Sequence, residues 1–160
     1  MTAPAFEAKL CPPADLAGRV AALARPLVFT NGCFDILHRG HVSYLAQARS
    51  LGASLVVAVN SDASVRRLGK GADRPVNRLE DRVALLAALE SVSLVTWFDE
   101  DTPLATILAC RPEVLVKGGD WATNSIVGAR EVLANGGKVA SIPFIHQNST
   151  TALLEKIRRL

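Results

Sequence analysis

The chain has 160 residues, of which 49% are hydrophobic and 21% are charged, and its formal net charge at pH 7 is +3. This length supports one hydrophobic core, and its three cysteines, without a C-x-x-C pair, indicate neither a disulfide framework nor a zinc site. The small, dispersed basic excess argues against nucleic-acid binding, and the lack of a long apolar run or signal-like N-terminus predicts a cytoplasmic protein without membrane contact.

Apolar strands alternate with amphipathic helices along the chain, which is typical of a parallel sheet covered on both faces. Residues 1–26 predict an N-terminal helical extension, with a helix over 14–25, packed on a main domain of residues 27–160. Strands are predicted over residues 27–30, 54–60, 94–98, 113–117 and 138–142. Helices are predicted over residues 41–51, 78–90, 102–110, 126–134 and from 150 onward, with Asn77, Thr102 and Ser149 as caps. The expected fold class is α/β: a single doubly wound, Rossmann-like domain with a five-stranded parallel sheet and helices on both faces.

The most informative motif is His38-x-Gly40-His41, which lies between the first strand and the helix that follows it. A helix N-terminus offers free backbone N–H groups and the positive end of the helix dipole. Two imidazoles at that position can donate further hydrogen bonds to a phosphate. Taken alone, the motif is also compatible with capping histidines or part of a metal site. In its context it predicts chemistry on the phosphate chain of a nucleotide.

Polar and glycine-rich segments follow four predicted strands, at residues 30–32, 60–62 and 117–120 and in the stretch that leads to the helix start at 149–151. Because the carboxyl ends of parallel strands meet at one edge of a sheet, we expect these segments to converge on one crevice. A basic loop over residues 69–75 is a further candidate for phosphate contact. No G-x-G-x-x-G follows a strand, and Gly69-Lys70 lacks the spacing of a P-loop, so neither of those nucleotide folds is favoured.

Six segments resemble the nucleotidyltransferase superfamily marked by His-x-Gly-His, and within it the adenylyltransferases that form ADP-heptose from glycero-manno-heptose 1-phosphate. The segments are residues 30–38, 40–45, 57–62, 74–77, 115–120 and 149–151. Related glycerol-phosphate and choline-phosphate cytidylyltransferases typically carry Lys-Gly-Asp-Asp, and an arginine five residues before the Ser-Thr-Thr serine. Gly119 and Phe144 occupy the corresponding positions here, which favours the heptose branch.

The resemblance implies an enzyme that transfers the adenylyl group of ATP to D-glycero-D-manno-heptose 1-phosphate, for lipopolysaccharide and cell-envelope heptose synthesis. The sugar's phosphate oxygen would attack the α-phosphorus in line, and pyrophosphate would leave without a covalent enzyme intermediate. Mg²⁺ would be held by the triphosphate, with no direct protein ligand expected and Asp35 only a weakly supported contact. In many bacteria this domain resembles one half of a protein fused to a sugar kinase, so a separate heptose kinase is expected here.

By the same resemblance, the site residues fall into three groups. The catalytic residues would be His38, His41 and Lys117. The nucleotide would be bound by Thr30, Asn31, Gly32, Phe34, Gly40, Asp62, Gly119, Asp120, Ser149, Thr150 and Thr151. For the phosphate of the sugar, charge and position alone suggest Arg82, Lys70, Arg74 and, more weakly, Lys9.

Several of these residues also have a purely structural interpretation. Lys117 can be a cation at the edge of the sheet, and Ser149 can be an ordinary helix N-cap. Asp62 and Asp120 can each cap a turn. Apolar residues on the helix over 78–90 exceed what one buried face needs, which is compatible with a homodimer.

Two other functions stay open. One is nucleotidyl transfer to another phosphorylated alcohol, such as glycerol 3-phosphate or phosphopantetheine. The other is a nucleotide-binding domain without catalysis, although retention of both histidines, Lys117 and the Ser-Thr-Thr segment argues against it.

Overall fold

A computed structural model describes residues 2–146 and 149–160 of the chain. The strands are β1 (Leu27–Gly32), β2 (Ser54–Asn60), β3 (Leu94–Phe98), β4 (Val114–Gly118) and β5 (Lys138–Ile142). The α-helices within these residues are α1 (Leu16–Ala21), α2 (Arg39–Arg49), α3 (Asp62–Arg67), α4 (Leu79–Ala87), α5 (Leu104–Cys110), α6 (Ala129–Ala134) and α7 (Thr150–Arg158). Short 3-10 turns occupy Ala5–Lys9, Pro13–Asp15 and Thr123–Ser125.

The five strands form one parallel sheet in the order β3-β2-β1-β4-β5. The chain starts in the centre with β1, winds outward to β3, and then returns to the other side of β1 to add β4 and β5. The strand order therefore reverses between β1 and β4, and a crevice is expected outside their carboxyl ends. The predicted α/β class, doubly wound and five-stranded, is confirmed.

Alternating side chains of the central strands enter two hydrophobic clusters, one on each face of the sheet. Leu27 and Phe29 pack with residues of α1, α5 and α6, whereas Val28 packs with residues of α2 and α4. All three side chains are fully buried. Because both faces of the sheet are buried, the sequence of each central strand contains a continuous apolar run.

The N-terminal residues are attached to the outer edge of the sheet. Leu10 forms a parallel bridge with Val95, and the backbone N–H of Cys11 donates to the carbonyl oxygen of Val95 at 2.8 Å. Leu16 and Val20 on α1 belong to the hydrophobic cluster that also contains Leu27 and Phe29. Helix α1 is shorter than the predicted span of 14–25, since a 3-10 turn over Pro13–Asp15 precedes it.

Several helix boundaries differ from those predicted from the local sequence. Asn77 does not cap α4: the N-cap is Arg78, without a side-chain bond, because the Asn77 amide donates to the backbone oxygen of Asp35 at 2.7 Å. The N-cap of α5 is Pro103 rather than Thr102. Helix α3 was not predicted at all. Helix α6 is shorter than the predicted 126–134, because the chain reaches it through Gly128 at a φ of 85°. None of the helices within the described residues is long and apolar enough to cross a membrane.

Candidate active site

His38 and His41 form the mouth of α2. The Nδ1 atom of His38 accepts the backbone N–H of Gly40 at 3.1 Å, and Nδ1 of His41 accepts the backbone N–H of His38 at 3.4 Å. The two imidazole rings stack with centroids 3.9 Å apart and planes inclined by 27°. Because both Nδ1 atoms act as acceptors, the neutral rings carry their hydrogen on Nε2. Each ring therefore keeps one N–H donor for a ligand.

Burial keeps both imidazoles uncharged at neutral pH. Loss of solvent lowers the pKa of His41 to about 4, with a further lowering from the neighbouring His38. Loss of solvent also lowers the pKa of His38. The pair therefore serves as hydrogen-bond donors rather than as cations in the free protein.

Aromatic rings enclose His41. Phe34 and Phe144 approach it edge-on, with ring centroids at 5.4 Å and 6.4 Å. Phe144 also meets Tyr44 at 5.6 Å, and a Cβ atom on Gly118 would lie only 2.8 Å from its ring. Glycine at 118 therefore lets Phe144 lie directly over the end of β4.

A cavity of about 530 Å³ opens between α2, the carboxyl ends of β1 and β4, and the start of α7. Of the predicted site residues, it is lined by Asn31, Gly32, Phe34, His38, His41, Lys70, Arg74, Lys117, Ser149, Thr150 and Thr151. Three of the four segments predicted to converge thus meet where the strand order reverses, whereas residues 60–62 do not line this cavity.

Three cationic side chains border this cavity, and they differ in whether a carboxylate pairs with them. Loss of solvent, reinforced by the charge of Lys70, lowers the pKa of Lys117, while Cys33 opposes the change. The Lys70 amine lies 3.5 Å from the Cys33 sulfur. Arg74, in contrast, is buried and its Nε donates to the Asp35 carboxylate at 2.5 Å. Lys117 and Lys70 are thus the cations without a carboxylate partner among the described lining residues.

The start of α7 supplies a second helix N-terminus. The Ser149 hydroxyl caps it by accepting the backbone N–H of Ala152 at 3.0 Å, and the Thr150 hydroxyl donates to the carbonyl oxygen of Ile36 at 3.3 Å. The interpretation of Ser149 as a helix N-cap is therefore confirmed. The cap occupies the Ala152 N–H, and the other N–H groups of the first turn and the positive end of the helix dipole can face an anion.

Arg82 and Asp62 lie away from this cavity and satisfy each other. Arg82 is fully buried, and its guanidinium donates to an Asp62 carboxylate oxygen at 2.7 Å. It also donates to the carbonyl oxygens of Cys33 at 2.7 Å and Asn77 at 3.1 Å. A guanidinium with these partners joins three segments of the fold, which argues against the expected contact with the sugar phosphate.

Asp35 and Lys9 likewise form their hydrogen bonds within the protein. Burial alone would raise the pKa of Asp35, but backbone N–H groups of Val76 and Asn77, together with Arg74, outweigh it and hold the pKa below its usual value. Lys9 donates to the carbonyl oxygen of Leu89 at 2.9 Å. Asp35 therefore anchors the segment after the basic loop, and Lys9 joins the N-terminus to the end of α4.

Thr30, Gly40, Gly119 and Asp120 do not line the main cavity. Thr30 is buried and its hydroxyl bonds to the hydroxyl of Tyr44, while Gly40 is buried beside the His38 ring. Gly119 turns the chain after β4 with a φ of 110°, and Asp120 is exposed. Sequence reasoning overlooked Tyr44, although it lies three residues after His41 on the same helix face.

Comparisons with known proteins agree with this geometry. The cytidylyltransferase-like family model matches residues 29–153. A relative from Bordetella bronchiseptica, D-beta-D-heptose 1-phosphate adenylyltransferase, is 57% identical over 161 residues and 99% of both chains is covered. The bifunctional protein HldE of Hahella chejuensis is 56% identical over 133 residues, but the chain spans only 28% of its length.

Solved structures give the same picture of the fold. A lipopolysaccharide core biosynthesis protein from Thermoplasma volcanium has a TM-score of 0.61 and 28% identity, with 76% of this chain and 98% of that one covered. Pantothenate synthetase from Thermus thermophilus has a TM-score of 0.56 at 19% identity, with coverage of 84% and 61%, which concerns the fold alone.

Proposed function

This chain belongs to the cytidylyltransferase-like family and is a nucleotidyltransferase, and on that premise we propose that it transfers the adenylyl group of ATP to D-glycero-D-manno-heptose 1-phosphate. The products are ADP-heptose and pyrophosphate. One observation carries the proposal: the stacked histidine pair, Lys117 and the start of α7 border a single cavity at the strand-order reversal. The heptose relative, matched over 99% of both chains, supports the choice of substrate.

The triphosphate of ATP fits between the two helix N-termini. The β- and γ-phosphates lie at the start of α7, where Ser149 and Thr151 offer hydroxyl donors and the first turn of the helix offers backbone N–H groups. The α-phosphate lies between the histidine pair and Lys117. This arrangement is supported by the shared cavity and by Lys117 and Lys70 on its wall, with which no carboxylate within residues 2–146 and 149–160 pairs.

The reaction is a single displacement at the α-phosphorus. An oxygen of the sugar's phosphate forms the new bond to phosphorus, and the bond from phosphorus to the bridging oxygen of the β-phosphate breaks. The Nε2–H groups of His38 and His41 donate to oxygens whose negative charge grows during transfer, and Lys117 adds a positive charge. No proton needs to be removed from the ionised phosphate, so the protein acts by positioning and charge stabilisation.

Magnesium enters with ATP in this proposal. The Asp35 carboxylate already accepts hydrogen bonds from Arg74, Val76 and Asn77, so it offers poor coordination for a cation. Phosphate oxygens of ATP are the usual ligands of Mg²⁺ at such sites. We therefore assign the metal to the nucleotide, as part of the substrate.

The wider setting belongs to the same proposal. A separate heptose kinase supplies the sugar phosphate, and the product serves lipopolysaccharide synthesis. The kinase reaction and the adenylyl transfer both occur in the cytoplasm, where ATP is made. A homodimer is a further expectation that sedimentation velocity would test.

The test is a panel of nucleotides and acceptors. Pyrophosphate release is measured with ATP or CTP against heptose 1-phosphate, glycerol 3-phosphate and phosphopantetheine. The proposal expects release with ATP and heptose 1-phosphate. Release only with CTP and glycerol 3-phosphate would refute it, and no release with any pair would favour a domain without catalysis.

A further inference from the structure

Two smaller cavities adjoin the main one at Asn31 and Lys117. One, of about 180 Å³, has Trp121, Ser125 and Val127 on its wall. The other, of about 220 Å³, has Lys70, Asp101 and Thr102 on its wall. Asn31 and Lys117 line all three cavities, whereas the histidine pair and the start of α7 line only the largest. The smaller cavities thus share the Asn31 and Lys117 wall of the main cavity but not the wall formed by the histidine pair.

Trp121 forms a fixed wall of the 180 Å³ cavity. Its indole N–H donates to the carbonyl oxygen of Gly118 at 3.1 Å, and its backbone N–H donates to the Ser141 hydroxyl at 3.0 Å. The side chain is nevertheless 52% exposed. A large aromatic ring that is held in place and yet open to solvent is a surface suited to a ligand.

Gly119 makes this placement of the indole possible. Its φ is 110°, and a Cβ atom built there would lie 2.9 Å from the indole nitrogen of Trp121. A side chain at 119 would therefore displace the ring from the Gly118 oxygen.

The charges of the smaller cavities suit a sugar phosphate. Lys117 and Lys70 both line the 220 Å³ cavity, and no carboxylate among the described residues pairs with either. The walls also carry Asp101, Thr102 and Ser125, whose oxygens can bond to hydroxyl groups, and one Asp101 oxygen already accepts from Arg67 at 2.8 Å. The cations therefore attract phosphate, and the oxygens offer hydroxyl partners beside an apolar ring.

We propose that these two cavities are the acceptor subsite, in which Trp121 stacks on the C–H face of the sugar and Lys117 and Lys70 hold its phosphate. This inference rests on the proposed function and names where its sugar substrate binds. In-line displacement requires the attacking oxygen to approach the α-phosphorus opposite the leaving pyrophosphate. With pyrophosphate beside the histidine pair and α7, an acceptor in the two smaller cavities approaches from the Asn31 and Lys117 wall, which α7 does not line.

The first test separates the two substrates kinetically. Trp121→Ala is expected to raise KM for heptose 1-phosphate about tenfold, as loss of a large aromatic contact does, and to leave KM for ATP within about twofold. Trp121→Phe, which keeps a ring, should recover part of the loss. Leu133→Ala is the matched control, since Leu133 is 54% exposed and lies on α6 outside these cavities. Equal changes in both KM values, or none, would overturn the subsite.

The second test needs no turnover. Trp97 and Trp121 are the two tryptophans of the chain, so Trp97→Phe leaves Trp121 as the single indole reporter. Heptose 1-phosphate, added with a non-hydrolysable ATP analogue, should change its fluorescence saturably, and an unchanged signal would overturn the subsite. Saturable binding in this assay together with a wild-type chain that releases no pyrophosphate would refute the proposed function alone. An active wild type with an unaltered acceptor KM in Trp121→Ala would refute the subsite alone.

Discussion

The imidazoles of His38 and His41 lie in a reciprocal arrangement in which each Nδ1 accepts a backbone N–H at the start of α2. The backbone thereby sets the orientation of both rings before any ligand binds. Such preorganised donors stabilise developing charge without further reorganisation. Their removal should therefore affect catalysis more than substrate binding.

His41→Ala is expected to lower kcat by about 10²–10³, the usual cost of losing one preorganised donor to a developing charge. Circular dichroism should show that the fold survives. His146→Ala is the matched control, because His146 is the remaining histidine of the three and does not line the main cavity. An unchanged kcat in His41→Ala would refute the role assigned to the pair.

The lowered pKa of His41 predicts a pH dependence of stability. The neutral ring is favoured in the folded state, so the unfolded chain binds the extra proton first as the pH falls below the ordinary value of 6.5. The free energy of unfolding should therefore decline between pH 6.5 and about 4, where the folded-state His41 also titrates. Urea unfolding at a series of pH values measures this, and His41→Ala should show a weaker decline. An identical decline in both proteins would contradict the assignment.

Phe144 is expected to keep His41 out of solvent. Phe144→Ala should raise the pKa of His41 toward 6.5, because water then reaches the imidazole that the ring now covers. NMR titration of the histidine side chains reports the shift directly. The neighbouring Ile145 is 67% exposed, and Ile145→Ala should leave the pKa unchanged. A constant pKa in Phe144→Ala would mean that burial by other residues suffices.

Arg82 is expected to stabilise the fold rather than bind substrate. Arg82→Ala leaves the Asp62 carboxylate, which is 28% exposed, and two carbonyl oxygens without their donor, and leaving a buried acceptor unpaired typically costs about 1–3 kcal/mol. Chemical denaturation measures this loss. Arg66→Ala, on the neighbouring α3, is a control without such partners among the described contacts. A fully stable Arg82→Ala protein with a raised KM for heptose 1-phosphate would restore the phosphate-binding interpretation.

The reliability of the sequence predictions follows the range of the interactions involved. The strand at Ser54–Asn60 was predicted at its observed bounds because all seven residues are buried and the apolar run is continuous. The convergence at the strand ends followed from parallel topology alone. The Asp62 and Cys33 partners of Arg82 and the Val76 and Asn77 partners of Asp35 were not predictable, because they lie 20 to 49 residues away in the chain and only the folded sheet brings them near.

Short-range signals also failed where they competed with tertiary contacts. Asn77 has the spacing of a helix cap, yet its amide bonds to Asp35 instead. Helix α3 was missed although Ser61 is a regular cap, whose hydroxyl accepts the Ser64 N–H at 3.0 Å. Its six residues form too short a segment to show a helical period.

The most direct test of the central claim is the fate of oxygen from the acceptor phosphate. Heptose 1-phosphate labelled with ¹⁸O in its non-bridging oxygens is incubated with ATP and the enzyme, and both products are examined by mass spectrometry. Attack by an acceptor oxygen on the α-phosphorus predicts ADP-heptose that retains all of the label, with unlabelled pyrophosphate. Label in pyrophosphate, or no ADP-heptose, would contradict the account.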